Sequence, residues 1–287
     1  GADLHPGGSG MSGSLASGAL RRYRFGLSQR LLARLGAATR RRARTVLLTA
    51  ALALGVIREL LRPHSWRRTV RAEFRRTLRQ SLGGGVSTVL VTAALVGLAL
   101  VYQALFWLGQ AGQANLIGAV VAGGLVRGFA PLLIGLILLG RSGMTMLAEI
   151  GALKIGGQVR ALEAQGIDPF LMFLLPRAAA LALACFTLTV IFIAVALLSG
   201  FIADNLLQSA ALTFGSFLDQ TLRAMTFADF VVFPVKTLGI GFLVAVSAGL
   251  TALQAGSHEM TADLLPRGFM RGVLVVLLVD VVLTFAI

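Results

Sequence analysis

Four stretches of this chain, roughly 86–108, 116–147, 178–202 and 231–255, run almost without charge for the ~20 residues that a helix needs to cross a hydrocarbon core. A fifth, roughly 269–287, is just long enough. Inside a bilayer a backbone N–H or C=O has no water to bond, so segments of this kind must be helices. The expected fold class is therefore an all-α integral membrane protein with about five transmembrane helices. The second stretch contains Arg127, Gly128 and Pro131, which predicts a bend or a locally opened helix there.

Composition agrees, and charge adds an orientation. Of 287 residues 56% are hydrophobic and 13% charged, against about 25% charged in soluble domains. Residues 1–82 hold 17 Arg against Asp3, Glu59 and Glu73, so the whole formal charge of +14 lies there and the rest of the chain balances to zero. Such an arm leading straight into apolar spans fits anionic headgroups at the cytoplasmic face better than nucleic acid. The loops alternate as the Lys/Arg rule requires. Loop 109–115 is uncharged and reads as outer, and insert 141–177 carries Arg141, Lys154, Arg160 and Arg177 and reads as inner. Loop 203–230, with Asp204, Asp219 and Asp229 against Arg223, reads as outer. The N-terminus is then cytoplasmic.

The chain divides by composition into four parts. Residues 1–10 lack an initiator Met and look like a cloning remnant, with Met11 as the natural start. Residues 11–44 form the basic arm, and 45–82 read as interfacial helices before a membrane domain over 83–287. Within 64–82, Trp66, Val70, Phe74 and Leu78 recur every four residues among six arginines, the pattern of a helix lying in the headgroup region. Val46–Leu61 is too short to span.

Between the second and third spans lies the most polar stretch of the membrane domain. It reads Gly140-Arg141-Ser142-Gly143, Thr145, Ala148-Glu149-Ile150-Gly151, Gln158, Leu162-Glu163 and Gly166-Ile167-Asp168-Pro169. Asp168 is a good N-cap and Pro169 suits a first helical position. The residues before them can turn at Gly156-Gly157 and form a short surface helix. This order of motifs, with Arg127 and Pro131 upstream and Pro176-Arg177, Lys236 and Asp280-Val281-Val282-Leu283-Thr284 downstream, resembles the MlaE/YrbE permeases. The likeness covers roughly residues 45–287. Those permeases are membrane subunits of ABC transporters that move lipids between bacterial membranes.

The resemblance implies a homodimer in the bacterial inner membrane, with ABC ATPase subunits beneath it and a periplasmic MCE-domain protein above. It also implies a coupling helix at about 148–166, with Glu149, Lys154, Gln158, Arg160, Glu163 and Asp168 facing the ATPase. The chain departs from the family at two positions. Gly128 follows Arg127 where an acid is usual, and Gly157 stands where a Glu usually precedes Gln158. A mechanism that needs those carboxylates lacks them here.

Ionised groups within spans mark candidate sites. Lys236 and Asp280 lie at similar depths from the outer side, which predicts that they pair or share a wet cavity, either as a packing pair or as part of a proton relay. Arg127 lies roughly 16 Å deep by helical rise. It can line a cavity and grip a phosphate headgroup bidentately, or bond carbonyls freed at the kink. Leu98, Val101, Leu105 and Phe106 of the first span either line a cavity for acyl chains or face the bilayer. Gly123, Gly124 and Gly128 suit close helix approach.

The three histidines have no metal-ligand spacing, so no metal site is expected, and Cys185 is the only cysteine. No Gly-x-x-x-x-Gly-Lys-Ser/Thr occurs, and Lys154 and Lys236 are the only lysines. The chain is then no enzyme and binds no cofactor, while ATP and Mg would be held by a partner ATPase. The leading reading is a permease subunit moving phospholipid between the inner membrane and an MCE-protein conduit. An ion-coupled secondary transporter and a non-transporting envelope scaffold are the alternatives.

Overall fold

The computed structural model describes residues 47–62, 67–110, 112, 120–166, 168–207, 214–256 and 260–285. The basic arm at 11–44, Trp66 and loop 113–119 lie outside them. The chain divides into two units, Gly1–Ala51 and Leu52–Ile287. Residues 47–51 of the first are helical, and the second holds all the spans. Its helices are α1 (Arg68–Gln110), α2 (Ala130–Leu138), α3 (Met144–Ile155), α4 (Gln158–Ala164), α5 (Leu175–Leu207), α6 (Phe214–Arg223), α7 (Phe227–Leu253) and α8 (Thr261–Phe285). No strand occurs among the described residues. Five helices are long and apolar enough to cross a membrane: Arg68–Leu108, Gly123–Ile155, Met172–Ala203, Phe227–Leu253 and Ala262–Phe285.

The first correction concerns the arm. The amphipathic stretch is not a separate interfacial helix: α1 runs unbroken for 43 residues, through Gly83-Gly84-Gly85, into the first span. Two residues of its apolar stripe, Val70 and Leu78, pack against the buried core. A period of four does not by itself say whether lipid or protein meets the stripe.

The second span is opened, as Pro131 requires. Two π-helical segments, Ala122–Phe129 and Leu139–Gly143, flank α2, and Pro131 falls in the first turn of α2. After α3 the chain turns at Gly157, whose φ of 74° is left-handed. A glycine takes that angle without cost, and a Glu would be strained there. The carboxylate usual in the family at this position has given way to a turn. α4 follows, Gly166 ends it at φ 73°, and the chain is helical again from Pro169.

Glycine sets how closely α1, α5 and α7 approach. A Cβ on Gly97 would stand 2.6 Å from Ala196 Cα, and one on Gly200 would overlap Val101. On α7, a Cβ at Gly241 would lie 2.6 Å from Cys185 Cβ. Each glycine lets a neighbouring helix come close to its backbone, which is how apolar helices gain packing energy where no hydrophobic force drives them together. Gly97→Ala is expected to destabilise the protein by about 1–3 kcal/mol through overpacking. Gly239, with nothing within 4 Å of an added Cβ, is expected to be neutral as Ala or stabilised by about 0.5–1 kcal/mol of helix propensity. Thermal unfolding midpoints of the two variants in detergent would check this opposite sign.

Candidate functional site: two polar clusters and an apolar groove

At one end of the bundle the structure brings Arg127, Lys236 and Asp280 together. Pro131 has no N–H to offer the carbonyl four residues back, which belongs to Arg127. Lys236 Nζ, from α7, donates to that carbonyl at 2.7 Å and to Thr284 Oγ1 at 2.7 Å. It also lies 2.8 Å from Asp280 Oδ1, an ion pair whose angle falls outside hydrogen-bond geometry. Thr284 in turn donates to Asp280 O at 2.6 Å. The three N–H groups of the ammonium thus face a kink in the second span and two groups on α8.

Arg127 is not left without an acid. Its Nη2 donates to Asp229 Oδ2 at 2.5 Å, 102 residues along the chain. Asp229 is 2% exposed and also accepts from the N–H of Thr226 at 2.7 Å, completing a capping box at the start of α7. Two expectations change here. Asp229 is not a loop charge, because α7 starts earlier than hydropathy suggests. Arg127 sits level with the first turn of α7 rather than far below the span's end. The acid missing at Gly128 is supplied from another helix. Sequence reasoning missed Asp229, although Thr226-x-x-Asp229 before an apolar run is the signal that marks such a start.

Beside this cluster, α1 and the second span enclose an apolar groove of about 730 Å³, within the range of small-molecule sites. Val96, Leu100, Gln103 and Trp107 form one wall, and Gly124, Phe129 and Leu133 the other. The four α1 residues named from the sequence do not line this groove. Val101 is 1% exposed and packs against Gly200, so it lines no cavity. Leu98 and Phe106 are exposed on a neighbouring face of α1 outside the groove, and the side chain of Leu105 lies outside the described residues.

The far end carries the insert. Glu149 and Lys154 belong to α3, which continues the second span, so the predicted helix over 148–166 is two helices meeting at Gly156-Gly157. Glu149 does not face outward alone: its Oε2 lies 2.9 Å from Arg177 Nη2. Lys154 is half-buried at the end of α3. Gln158, Arg160 and Glu163 are exposed on α4, where Val159 alone is buried. Asp168 is exposed, and its carbonyl accepts from the N–H of Met172 at 3.3 Å as the next helix begins. Among the described residues no group of His, Cys, Asp and Glu could hold a metal.

The family model described as Permease MlaE matches residues 74–286. The chain belongs to the MlaE permease family. The Arabidopsis thaliana protein TRIGALACTOSYLDIACYLGLYCEROL 1, chloroplastic, is 27% identical over 191 residues, 67% of this chain and 53% of that one. A probable ABC transporter permease protein of Rickettsia typhi is 28% identical over 58% of this chain and 64% of its own length. The intermembrane phospholipid transport system permease protein MlaE of Haemophilus influenzae is 30% identical over 39% of this chain and 43% of its own. The chain thus spans roughly half to two thirds of the first two. The family match takes in α1 from Phe74 onward, the groove, and both polar clusters except Glu73.

Removing one partner of a buried ion pair strands the other charge, at about 3–5 kcal/mol, whereas replacing both can be nearly neutral. Lys236→Met and Asp280→Leu are each expected to lower the unfolding midpoint. The double variant should lose less than the two losses combined, its residual cost being the carbonyl of Arg127 left unmet, about 1–3 kcal/mol. A double-mutant cycle on thermal unfolding midpoints would test this.

Proposed function

We propose that this chain is the permease subunit of an ABC transporter that moves phospholipid across the space between bacterial membranes. The observation that carries the reading is α4, an exposed two-turn helix between the second and third spans, set off by left-handed glycines at both ends. It is short, its outer face is polar, and the helix carrying it is continuous with a span. A soluble ATPase gripping such a helix can deliver force to the membrane domain. The Lys/Arg pattern of the loops supports a cytoplasmic position for α4 and for the N-terminus.

The remaining parts have roles in the same reading. Gln158, Arg160 and Glu163 form the ATPase contact, and ATP and Mg are bound by that partner. The groove between α1 and the second span takes acyl chains, and Arg127, 35% exposed at its side chain, offers a guanidinium to the headgroup phosphate. Two copies of the chain form the membrane unit, and a periplasmic MCE-domain protein receives or supplies the lipid. The Haemophilus and Rickettsia relatives, a phospholipid transport permease and a probable ABC transporter permease, support the transport class.

Substituting Glu163→Lys together with Arg160→Glu inverts the charges of α4 without touching its one buried residue. The ATPase that co-purifies with the wild-type chain from native membrane is expected to be lost, while the yield of folded permease is unchanged. Wild-type protein that emerges from membrane with neither ATPase nor bound phospholipid would sink the reading.

A further inference from the structure

A charged cleft at the α4 end is left unexplained by lipid binding or by ATPase docking. Arg177, in the first turn of α5 with a side chain 9% exposed, stands between Glu73 of α1 and Glu149 of α3. Its Nε and Nη2 donate to Glu73 Oε1 at 3.1 and 3.0 Å, and Nη2 also meets Glu149. Nη1 is buried without a hydrogen-bond partner. One guanidinium fork therefore serves two carboxylates, either of which could take it bidentately. Next to it Arg141 donates from Nη2 to Gln80 O at 3.1 Å and lies flat on α1 at Gly84, where a Cβ would overlap its guanidinium. Its Nη1 too is buried and unpartnered. Buried Arg177 at the start of α5, and half-buried Arg141 in the π-helical segment before α3, tie these elements to α1 between Glu73 and Gly84.

The far half of the same α1 is the wall of the groove. At ~1.5 Å per residue its 43 residues make a rod of about 65 Å. Level with the groove, on another face of α1, Gly97 meets the backbone of Ala196 and the Val101 side chain seats on Gly200 of α5. A continuous helix held at one end and lining the groove at the other carries a displacement of its held end to the groove wall. Arg177 itself follows a π-helical segment, Phe170–Leu174, a helix defect of the kind found at hinges.

We infer that Arg177 is a positioning residue that transmits movement of the α3–α4 arm to the lipid groove, by exchanging its fork between Glu149 and Glu73. With Glu149 held, Arg177 moves with the arm; with Glu73 held, it moves with α1. Packed elements have discrete arrangements rather than a continuum, so the exchange converts a shift of the arm into a shift of α1 and a change in groove width. This rests on the reading that α4 receives an ATPase.

The test uses the assembled permease–ATPase complex in vesicles of phosphatidylethanolamine and phosphatidylglycerol, with a fluorescent phospholipid as cargo. Glu73→Gln and Glu149→Gln keep the shape of the cleft and remove one carboxylate each. Both are expected to retain the ATPase and the wild-type KM for ATP, but to move about tenfold less phospholipid per ATP hydrolysed. Arg177→Gln should do the same, with the Glu73→Gln/Glu149→Gln pair no worse than it. Arg177→Lys, which keeps the charge but not the fork, should fail to restore coupling. If Glu73→Gln and Glu149→Gln transport as many lipids per ATP as wild type in an intact complex, the inference is overturned and the permease reading stands. If the wild-type chain binds no ATPase, both fall together.

Discussion

Lipid offers no hydrophobic force to press one apolar helix against another, so the spans of this protein must be held by close packing and by a few polar contacts. Glycine does the first. Gly97, Gly200 and Gly241 sit where α1 and α7 lie against α5, and each admits a neighbour that a Cβ would exclude. Two charged clusters, one at each end of the bundle, do the second. Between them the core is apolar, with Leu125, Ile134, Leu188, Phe192 and Ile240 all nearly inaccessible.

The two clusters solve different problems. At the Lys236 end the difficulty is a proline. Pro131 opens the second span and strands a carbonyl, and the ammonium that takes it must be neutralised in turn by Asp280. The freed carbonyl and the ammonium satisfy each other, while Arg127 Nε, Asp229 Oδ1 and Asp280 Oδ1 stay buried without a hydrogen-bond partner. At the α4 end Glu73 and Glu149 converge on the one fork of Arg177, just after a π-helical segment, and one nitrogen each of Arg141 and Arg177 is unmet. One end thus joins an ammonium to a freed carbonyl, and the other sets one guanidinium between two carboxylates.

The relation between the ends is set by helix length. A coupling helix that merely docked an ATPase would leave force at the membrane surface. Here the second span is continuous through α3 to the turn at Gly157, and α1 runs from the charged cleft to the groove without a break. Both walls of the groove therefore reach the end where α4 lies.

The class of protein was legible in the chain alone. Apolar stretches of span length, the basic arm and the polar insert require a helical membrane protein, since hydrogen bonding in lipid leaves a chain so little choice. The pairing of Lys236 with Asp280 was also readable, because two opposite charges at similar depth in apolar helices have few other partners. Only the tertiary structure decided which helix faces meet. Val101 looked like a cavity residue and is sealed by Gly200; Glu149 looked like a docking residue and is engaged by Arg177; Arg127 looked bereft of its acid and finds it on α7. Hydropathy measures how much a helix resists water but is nearly blind to azimuth. In an apolar helix, where the faces toward lipid and protein are both apolar, the rotation about the axis is set by contacts with helices a hundred residues away.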